Sequence, residues 1–249
     1  MSMRRFFIEP FEYGEPGQTV VLLDRDESHH LARVVRLQVG NRIELFDGSG
    51  ALYTGEIETL GKEVAVRLLS SQPQVDVSSI QLHVCQGDLK GSKMDFLVEK
   101  CTELGVAQFT PFFSSRSQGR VQPQRWEQKR QRWQARIRSA CKQSGRLRFM
   151  GLGREQEFTD LLGGIDQNPG TRIILSEYET TTRLGDVLQG AFNQPIWLML
   201  GPEGGFSEAE VDQATSRGWQ PVSLGTRILR AETATVAAVA ICQHLLGAM

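Results

Sequence analysis

No apolar run in this chain of 249 residues approaches the length needed to cross a bilayer. Cysteine is scarce: Cys85, Cys101, Cys141 and Cys242 stand far apart, with no CxxC pair and no histidine cluster beside them. That excludes a disulfide framework and a zinc site, and the thiols are expected to be reduced and buried. Phosphate fingerprints are missing too. Gly201-Pro202-Glu203-Gly204-Gly205 holds no GxGxxG, and Gly87-Asp-Leu-Lys-Gly-Ser-Lys93 lacks both P-loop spacing and a Ser or Thr after its lysine, which disfavours a mononucleotide triphosphatase. Adjacent His29 and His30 point to different faces, and no acid or cysteine pattern completes a metal site around them. The basic residues Arg4 and Arg5 are followed by only three apolar side chains before Glu9, too few for a signal-peptide core, so a cytoplasmic location and no membrane partner are expected. One region lacks charge of one sign. Residues 116–148 carry Arg116, Arg120, Arg125, Lys129, Arg130, Arg132, Arg136, Arg138, Lys142, Arg146 and Arg148 against the single acid Glu127, although the whole chain has a net charge of −1.

What is present suggests two domains. Short apolar runs at 18–23, 42–46, 51–57 and 64–69, broken by Asn41, Asp47-Gly48-Ser49-Gly50 and Gly61-Lys62, predict a small antiparallel barrel or sheet. Leu31, Val34 and Val35 predict a short helix after Ser28. The polar stretch 70–79 has no periodicity and is expected to be a linker, giving domains of 1–72 and 73–249. Beyond it strands and helices alternate, as in an α/β fold. Strands are expected at 80–85, 106–113, 172–176, 196–200 and 221–224. Helices are expected over 94–104, closed by Gly105, and over 124–143, burying Trp126, Trp133, Ile137, Ala140 and Cys141.

The strand Ile196-Trp-Leu-Met-Leu200 is wholly apolar and runs straight into the glycine-rich loop. Glycines there admit close backbone approach, and ligands of open α/β sheets bind beyond the carboxyl ends of strands. Ser207-Glu-Ala-Glu210 reads as a capping box with Gly218 as the helix stop. The strand 221–224 likewise ends in Gly225, followed by Thr226-Arg-Ile-Leu-Arg-Ala-Glu-Thr-Ala-Thr235 and an apolar, alanine-rich helix over 236–246 that must be buried in the fold or in an interface. Either loop alone reads as an ordinary turn; two of them together suggest a ligand cradle.

Three segments carry a family likeness: Leu198-Met-Leu-Gly-Pro-Glu-Gly-Gly-Phe-Ser207, Leu224-Gly-Thr-Arg-Ile-Leu-Arg-Ala-Glu-Thr-Ala234 and Lys90-Gly-Ser-Lys-Met-Asp-Phe-Leu-Val-Glu-Lys-Cys-Thr-Glu-Leu-Gly105. With Arg4-Arg-Phe-Phe7 and Gln143-Ser-Gly-Arg146, the chain closely resembles the SPOUT-class RNA methyltransferases, and within them the RsmE family of 16S ribosomal RNA uracil-N3 methyltransferases. The tract after Arg146 lacks the proline usual in that family. The resemblance implies a PUA-like β-barrel domain, then a trefoil-knotted α/β methyltransferase domain, working as a homodimer on 16S ribosomal RNA or the small ribosomal subunit, with S-adenosylmethionine as cofactor and no metal. Topological rules argue against threading, so the knot rests on the resemblance alone.

Carried onto this chain, the resemblance assigns the cofactor to Leu200, Gly201, Pro202, Glu203, Gly204, Gly205, Leu224, Gly225, Ile228, Leu229, Arg230, Thr233 and Ala234. Arg230 would stabilise the uracil as negative charge develops. Glu203 and Glu232 are candidate proton acceptors, and each could equally brace its loop through backbone hydrogen bonds, the structural role coming first for Glu232. Arg125, Lys129, Arg132 and Arg136 form a stripe about 100° around the helix from the buried face, and the near absence of acids favours phosphate contact over an ordinary solvated face. Arg4, Arg5, Lys93, Arg116 and Arg146 complete the expected RNA contacts. Two alternatives stay open: an RNA-binding assembly factor without the chemistry, and a methyltransferase acting on a ribose 2′-hydroxyl.

Overall fold

The computed structural model describes residues 3–11, 13–73, 80–120, 122–188 and 194–249. Contacts divide the chain into two units, Met1–Val75 with Arg138–Phe149, and Asp76–Ile137 with Met150–Met249. In the first, β1 (Arg5–Phe7), β2 (Val20–Leu22), β3 (Arg42–Phe46), β4 (Ala51–Thr59) and β5 (Ala65–Pro73) form one sheet in the order β1-β3-β4-β5-β2. It is antiparallel except that β1 lies parallel to β3. Part of the expected linker is strand: Ser70, Ser71 and Gln72 pair with Thr54, Tyr53 and Leu52 past a register shift at Thr54/Gly55. That shift hides the alternation that would have announced a strand; residues 74–79 lie outside the described residues.

The expected helix is present but starts earlier. α1 (Arg25–His29) is capped by Asp24, whose Oδ1 accepts the Glu27 amide at 2.7 Å, and it runs on into a π-helical turn at His30–Val35. Ser28 caps nothing because it points inward. Its buried hydroxyl donates to Leu23 O at 3.1 Å and accepts from Val64 N at 2.9 Å. Phe6, Leu23, Leu31, Ile43, Leu45, Val66 and Leu68 fill this unit's core.

The second unit is built on parallel strands in the order β12-β10-β11-β6-β7-β8, with β9 also pairing β7. They are β6 (Leu82–Gly87), β7 (Gln108–Phe113), β8 (Gly151–Leu152), β9 (Gln156–Glu157), β10 (Thr171–Leu175), β11 (Ile196–Leu200) and β12 (Gln220–Val222). Around them run α2 (Lys93–Glu103), α3 (Pro123–Ser144) as far as Ile137, α4 (Phe158–Ile165), α5 (Leu184–Leu188), α6 (Glu208–Thr215) and α7 (Ala231–Leu245). Every residue of β11 is buried. Trp197 and Met199 join a core with Phe158, Leu162, Val211 and Trp219 from one side, while Ile196, Leu198 and Leu200 alternate onto the other face, where α7 packs. All four cysteines are buried and free. Among the described residues no helix is long and apolar enough to cross a membrane.

α3 buries Trp133, Ile137, Ala140 and Cys141, as its spacing predicts, while Trp126 is only half-buried. Its basic stripe is not bare. Asp95 of α2 accepts from Trp133 Nε1 at 2.8 Å, from Arg132 at 2.9 Å and from Arg136 at 3.3 Å. Lys129 reaches Glu155 at 2.6 Å and Asp88 at 3.3 Å. The acids that local sequence lacks are supplied by the tertiary fold, which leaves Arg125 as the stripe residue without an ion pair among the described residues.

Burial pushes the Asp95 carboxyl up, but hydrogen bonds from Trp133 and Arg132 and the charges of Arg132 and Arg136 bring it below the usual range. A depressed folded value means stability that is present above the unfolded carboxylate pKa of about 4 and is lost as pH falls through the folded value. Asp95→Asn should therefore cost roughly 1–3 kcal/mol at neutral pH and flatten the acid limb of stability, measured by urea unfolding from pH 7 down to pH 3.

Candidate functional site

The adjacent strands β12, β10 and β11 end side by side, and the loops leaving their carboxyl ends enclose a cavity of about 320 Å³. That size lies at the lower end of the range of roughly 300–1,000 Å³ for small-molecule sites. The first wall follows β11 and comprises Leu200, Gly201, Pro202, Glu203, Gly205 and Phe206. The second follows β12, with Leu224, Gly225, Thr226, Arg227, Ile228 and Leu229, and Ala231 and Ala234 of α7 complete it. Ten of the thirteen residues expected to hold a ligand line this cavity. Gly204, Arg230 and Thr233 do not. The Gly204 carbonyl faces Arg116, while Arg230 caps α7 and Thr233 lies in its first turn, because that helix begins at Ala231 rather than near 236.

A third wall has no counterpart in the sequence reading. It follows β10 and consists of Leu175, Ser176, Glu177, Tyr178, Glu179, Thr180 and Arg183. No glycine marks this loop, and the only available signal was polar residues directly after an apolar strand. Glu179 is fixed within it: Oε1 accepts from Thr181 Oγ1 at 2.6 Å, Thr181 N at 2.7 Å and Thr182 N at 2.8 Å. Those bonds, the Thr181 hydroxyl first, hold its carboxyl down to about 2, so the cavity has a permanent anion in its wall.

Two backbones nearly touch beneath the first wall. A Cβ on Gly87 would lie 2.5 Å from Pro202 N and 2.8 Å from Gly201 C, so the end of β6 admits only glycine there. Next to it the fully buried Gln86 donates to Gly201 O at 3.1 Å, and its Oε1 lies 2.7 Å from the buried Thr235 hydroxyl of α7. This side chain ties the glycine-rich loop and the last helix to the centre of the sheet.

The loop is held at its other end as well. The expected capping box is formed: Glu210 N donates to Ser207 Oγ at 3.3 Å and Ser207 N to Glu210 Oε2 at 2.9 Å. Glu210 Oε1 also takes the Ser115 amide at 2.8 Å. Burial raises the Glu210 carboxyl, but the amides of Ser115 and Ser207 bring it below its ordinary value. Arg116, expected on RNA, donates to Gly204 O at 3.0 Å and to Tyr178 Oη at 3.3 Å, which bridges the first and third walls.

Lys93 lies 2.7 Å from Glu203 and 3.5 Å from Glu232. Its hydrogen bond holds the Glu203 carboxyl below the usual range, and Glu203 in turn raises the Lys93 ammonium. Arg230 is exposed and its side chain meets no partner among the described residues. Of the other residues expected to meet RNA, Arg5 is engaged by Glu44 at 2.7 Å and by Gly145 O at 2.7 Å, Arg146 donates to Arg148 O at 2.6 Å, and Arg4 is exposed. Among the described residues no cluster of His, Cys, Asp and Glu could hold a metal ion. Gly87→Ala should shift the 201–205 loop and cost about 1–3 kcal/mol, seen as a lowered thermal midpoint, whereas Gly163→Ala, with open space around it, should leave the midpoint nearly unchanged.

Residues 76–243 match the model of an RNA methyltransferase domain, and residues 23–69 that of an RNA methyltransferase PUA domain. The chain is 32% identical over 235 residues to the ribosomal RNA small subunit methyltransferase E of Synechocystis, covering 92% of this chain and 74% of that protein. Among solved structures, that of a ribosomal RNA small subunit methyltransferase E from Neisseria gonorrhoeae bound to S-adenosylmethionine superposes with a TM-score of 0.85 at 34% identity, covering 98% of each chain. A putative methyltransferase from Legionella pneumophila, also in complex with S-adenosylmethionine, gives 0.86 at 30% identity with the same coverage. A strand-end cavity framed by glycine-rich loops and matches that span both units lead to one conclusion: this chain belongs to the RNA methyltransferase family, with a PUA-type domain preceding the methyltransferase domain.

Proposed function

We propose that this protein transfers the methyl group of S-adenosylmethionine to N3 of one uridine in 16S ribosomal RNA of the small subunit. The observation that carries the reading is the convergence of three strand-end loops on one cavity, in a chain whose relatives bear the name of a small-subunit ribosomal RNA methyltransferase. The residues fit the cofactor. Leu200, Leu224 and Leu229 offer apolar surface to an adenine, the backbone of Gly201, Gly205 and Gly225 is open to close approach, and the fixed anion at Glu179 suits a cationic ligand. When bound, that cofactor supplies an electrophilic methyl group on a sulfonium sulfur and needs no metal.

The chain's own residues then have to orient the base and manage one proton. N3 of uracil becomes nucleophilic as its proton leaves, and negative charge spreads onto the ring. Arg230, whose guanidinium is uncommitted and which stands in the chain between the cavity-lining Leu229 and Ala231, is the group to meet that charge in this reading. Glu203 is a poor proton acceptor because Lys93 holds its carboxylate in the charged form; it braces the loop against α2. Glu232, whose buried Oε2 lies 3.5 Å from the same Lys93, against 2.7 Å for Glu203, is the acceptor in this reading. Placement supplies much of the rate, because the donor is already activated.

Exposed apolar side chains on α7, Ile241 and Leu245, support the homodimer, since a helix of this composition gains from a covered face. Arg125 and Arg4 remain free for phosphate contact in this reading, and Arg132 and Arg136 can serve RNA only by sharing Asp95.

Arg230→Ala should lower methyl transfer by about 10²–10³-fold while leaving the calorimetric affinity for S-adenosylmethionine nearly intact. A comparable loss of cofactor affinity would reject that division of roles. Mass spectrometry of 16S ribosomal RNA from cells lacking the protein should show one uridine without its N3 methyl group. A missing ribose methyl group would favour the 2′-hydroxyl enzyme instead, and no calorimetric binding of the cofactor would favour an assembly factor.

A further inference from the structure

The turn that leaves β7 reaches across the end of the sheet. β7 lies two places from β11 and three from β10 in the strand order, yet Arg116, three residues past its end, meets the loops that follow both of those strands. Nη1 donates to Gly204 O at 3.0 Å, in the loop that makes the first wall of the cavity, and Nη2 donates to Tyr178 Oη at 3.3 Å in the third. Glu177 Oε1 stands 3.9 Å from the same guanidinium. Arg116 itself lines no part of the cavity.

The turn is built to present this side chain. Ser114 N donates to Ser117 Oγ at 3.0 Å and Ser117 N to Ser114 O at 3.0 Å, which closes the chain around Arg116, and Ser115 N is held by the buried Glu210 at 2.8 Å. The loop opposite is shaped for close approach. A Cβ on Gly204 would stand 3.2 Å from Arg116 Cβ, and one on Gly205, where φ is +67°, would stand 2.9 Å from Glu177 Oε1. Both meetings between the first wall and its neighbours thus depend on glycine.

The acceptors set Arg116 apart from the cations of α3. Lys129, Arg132 and Arg136 bond carboxylates within 3.3 Å and hold that helix in place. Arg116 bonds a carbonyl and a phenol, so the fold uses the fork of the guanidinium, two donors aimed along fixed lines, rather than its charge. With both terminal nitrogens holding a loop, it is not a free phosphate ligand. Arg116, Gly204 and Tyr178 are all exposed, and solvent-exposed hydrogen bonds between loops are the ones that open first.

We infer that Arg116 is a positioning residue for the methyl donor: with Tyr178 it forms a latch that holds the third wall against the glycine-rich loop while S-adenosylmethionine is bound, and that opens to exchange donor for product. The inference rests on the methyl-transfer reading of the cavity, and it replaces the RNA contact expected of Arg116. A cavity of about 320 Å³ leaves little slack around a ligand that carries both a nucleoside and an amino acid, so a wall has to yield for entry. The first wall is pinned by Gln86 and by the capping box at Ser207, and the second runs directly into α7. The third is the wall tied to the first from outside the cavity, by the exposed bonds of Arg116.

The test uses the full chain, with S-adenosylmethionine as the calorimetric probe and small subunits from cells lacking the protein as methyl acceptor. Arg116→Ala should raise the cofactor Kd and KM about tenfold and speed cofactor release to match, while kcat at saturating cofactor changes by less than about threefold. Tyr178→Phe should give a smaller loss in the same direction, and both substitutions together no more than Arg116→Ala alone, because the two residues share one bond. Arg116→Lys, which replaces the fork by a point charge, should restore only part of the affinity. The log-log salt slope of subunit binding should stay at its wild-type value. Wild-type cofactor affinity in an Arg116→Ala protein that keeps its thermal midpoint would overturn the inference, and a slope lowered by about 0.7–0.9 alongside it would return Arg116 to the RNA. If Arg116→Ala unfolds, Tyr178→Phe decides, since it leaves the bond to Gly204 in place: unchanged cofactor release there would overturn the latch. Cofactor affinity is read without RNA, so a methyl group found on a ribose instead of N3 would remove the uridine reading and leave the latch standing, whereas a wild-type chain that bound no cofactor would remove both.

Discussion

Gly87 and Pro202 meet backbone to backbone, and the geometry of the site depends on that approach. With no side chain at Gly87, the loop after β11 drops close enough to the end of β6 for Gln86 to bond Gly201 O. Gln86 can be fully buried only because its other end is satisfied by Thr235 of α7. A buried amide left unpaired would cost more than its bonds to Gly87 O, Gly201 O and Thr235 contribute, so the three elements hold one another in place. The capping box at Ser207 and Glu210 then fixes the far end of the same loop. The cavity walls are therefore rigid before any ligand enters, as a site that works by placement requires.

Charge is handled differently in the two units. In the methyltransferase unit Lys129, Arg132 and Arg136 of α3 are answered by acids from a distant part of the chain, Asp88, Asp95 and Glu155, while Arg130 is answered by its neighbour Glu127. In the PUA-type unit Lys142 is answered by Glu27, whereas Arg25, Arg33 and Lys62, which line a groove beside α1, make no ion pair among the described residues. A run of basic residues in a sequence thus records two things at once, the adhesive of a packed core and the surface offered to a polyanion, and only the tertiary partners separate them.

Much of the fold was legible. The strands at Arg42–Phe46 and Ile196–Leu200 fall where their patterns put them, because alternation and continuous apolar character follow directly from one or two covered faces. The first helix and the end of β5 were misplaced because tertiary bonds overruled local chemistry: Ser28 turned inward and the polar residues 70–72 were drafted into a ladder. Two walls of the cavity were visible through their glycines. The third, from Ser176 to Arg183, was not, since hydrogen bonds from threonines to Glu179 leave no signature in spacing. Gln86 and Thr235 were equally silent, because a polar residue inside a strand or helix reveals its partner only in three dimensions.

Gln86 and Thr235 are 149 residues apart. Their bond closes a very long loop, whose entropy must be spent before the contact returns anything. During synthesis the glycine-rich loop emerges before the helix that pins it, and until α7 docks the amide oxygen of Gln86 lacks its Thr235 partner. Cofactor binding thus becomes a report on completion: a chain that has not seated its final helix lacks the part of the pocket wall that Ala231 and Ala234 supply.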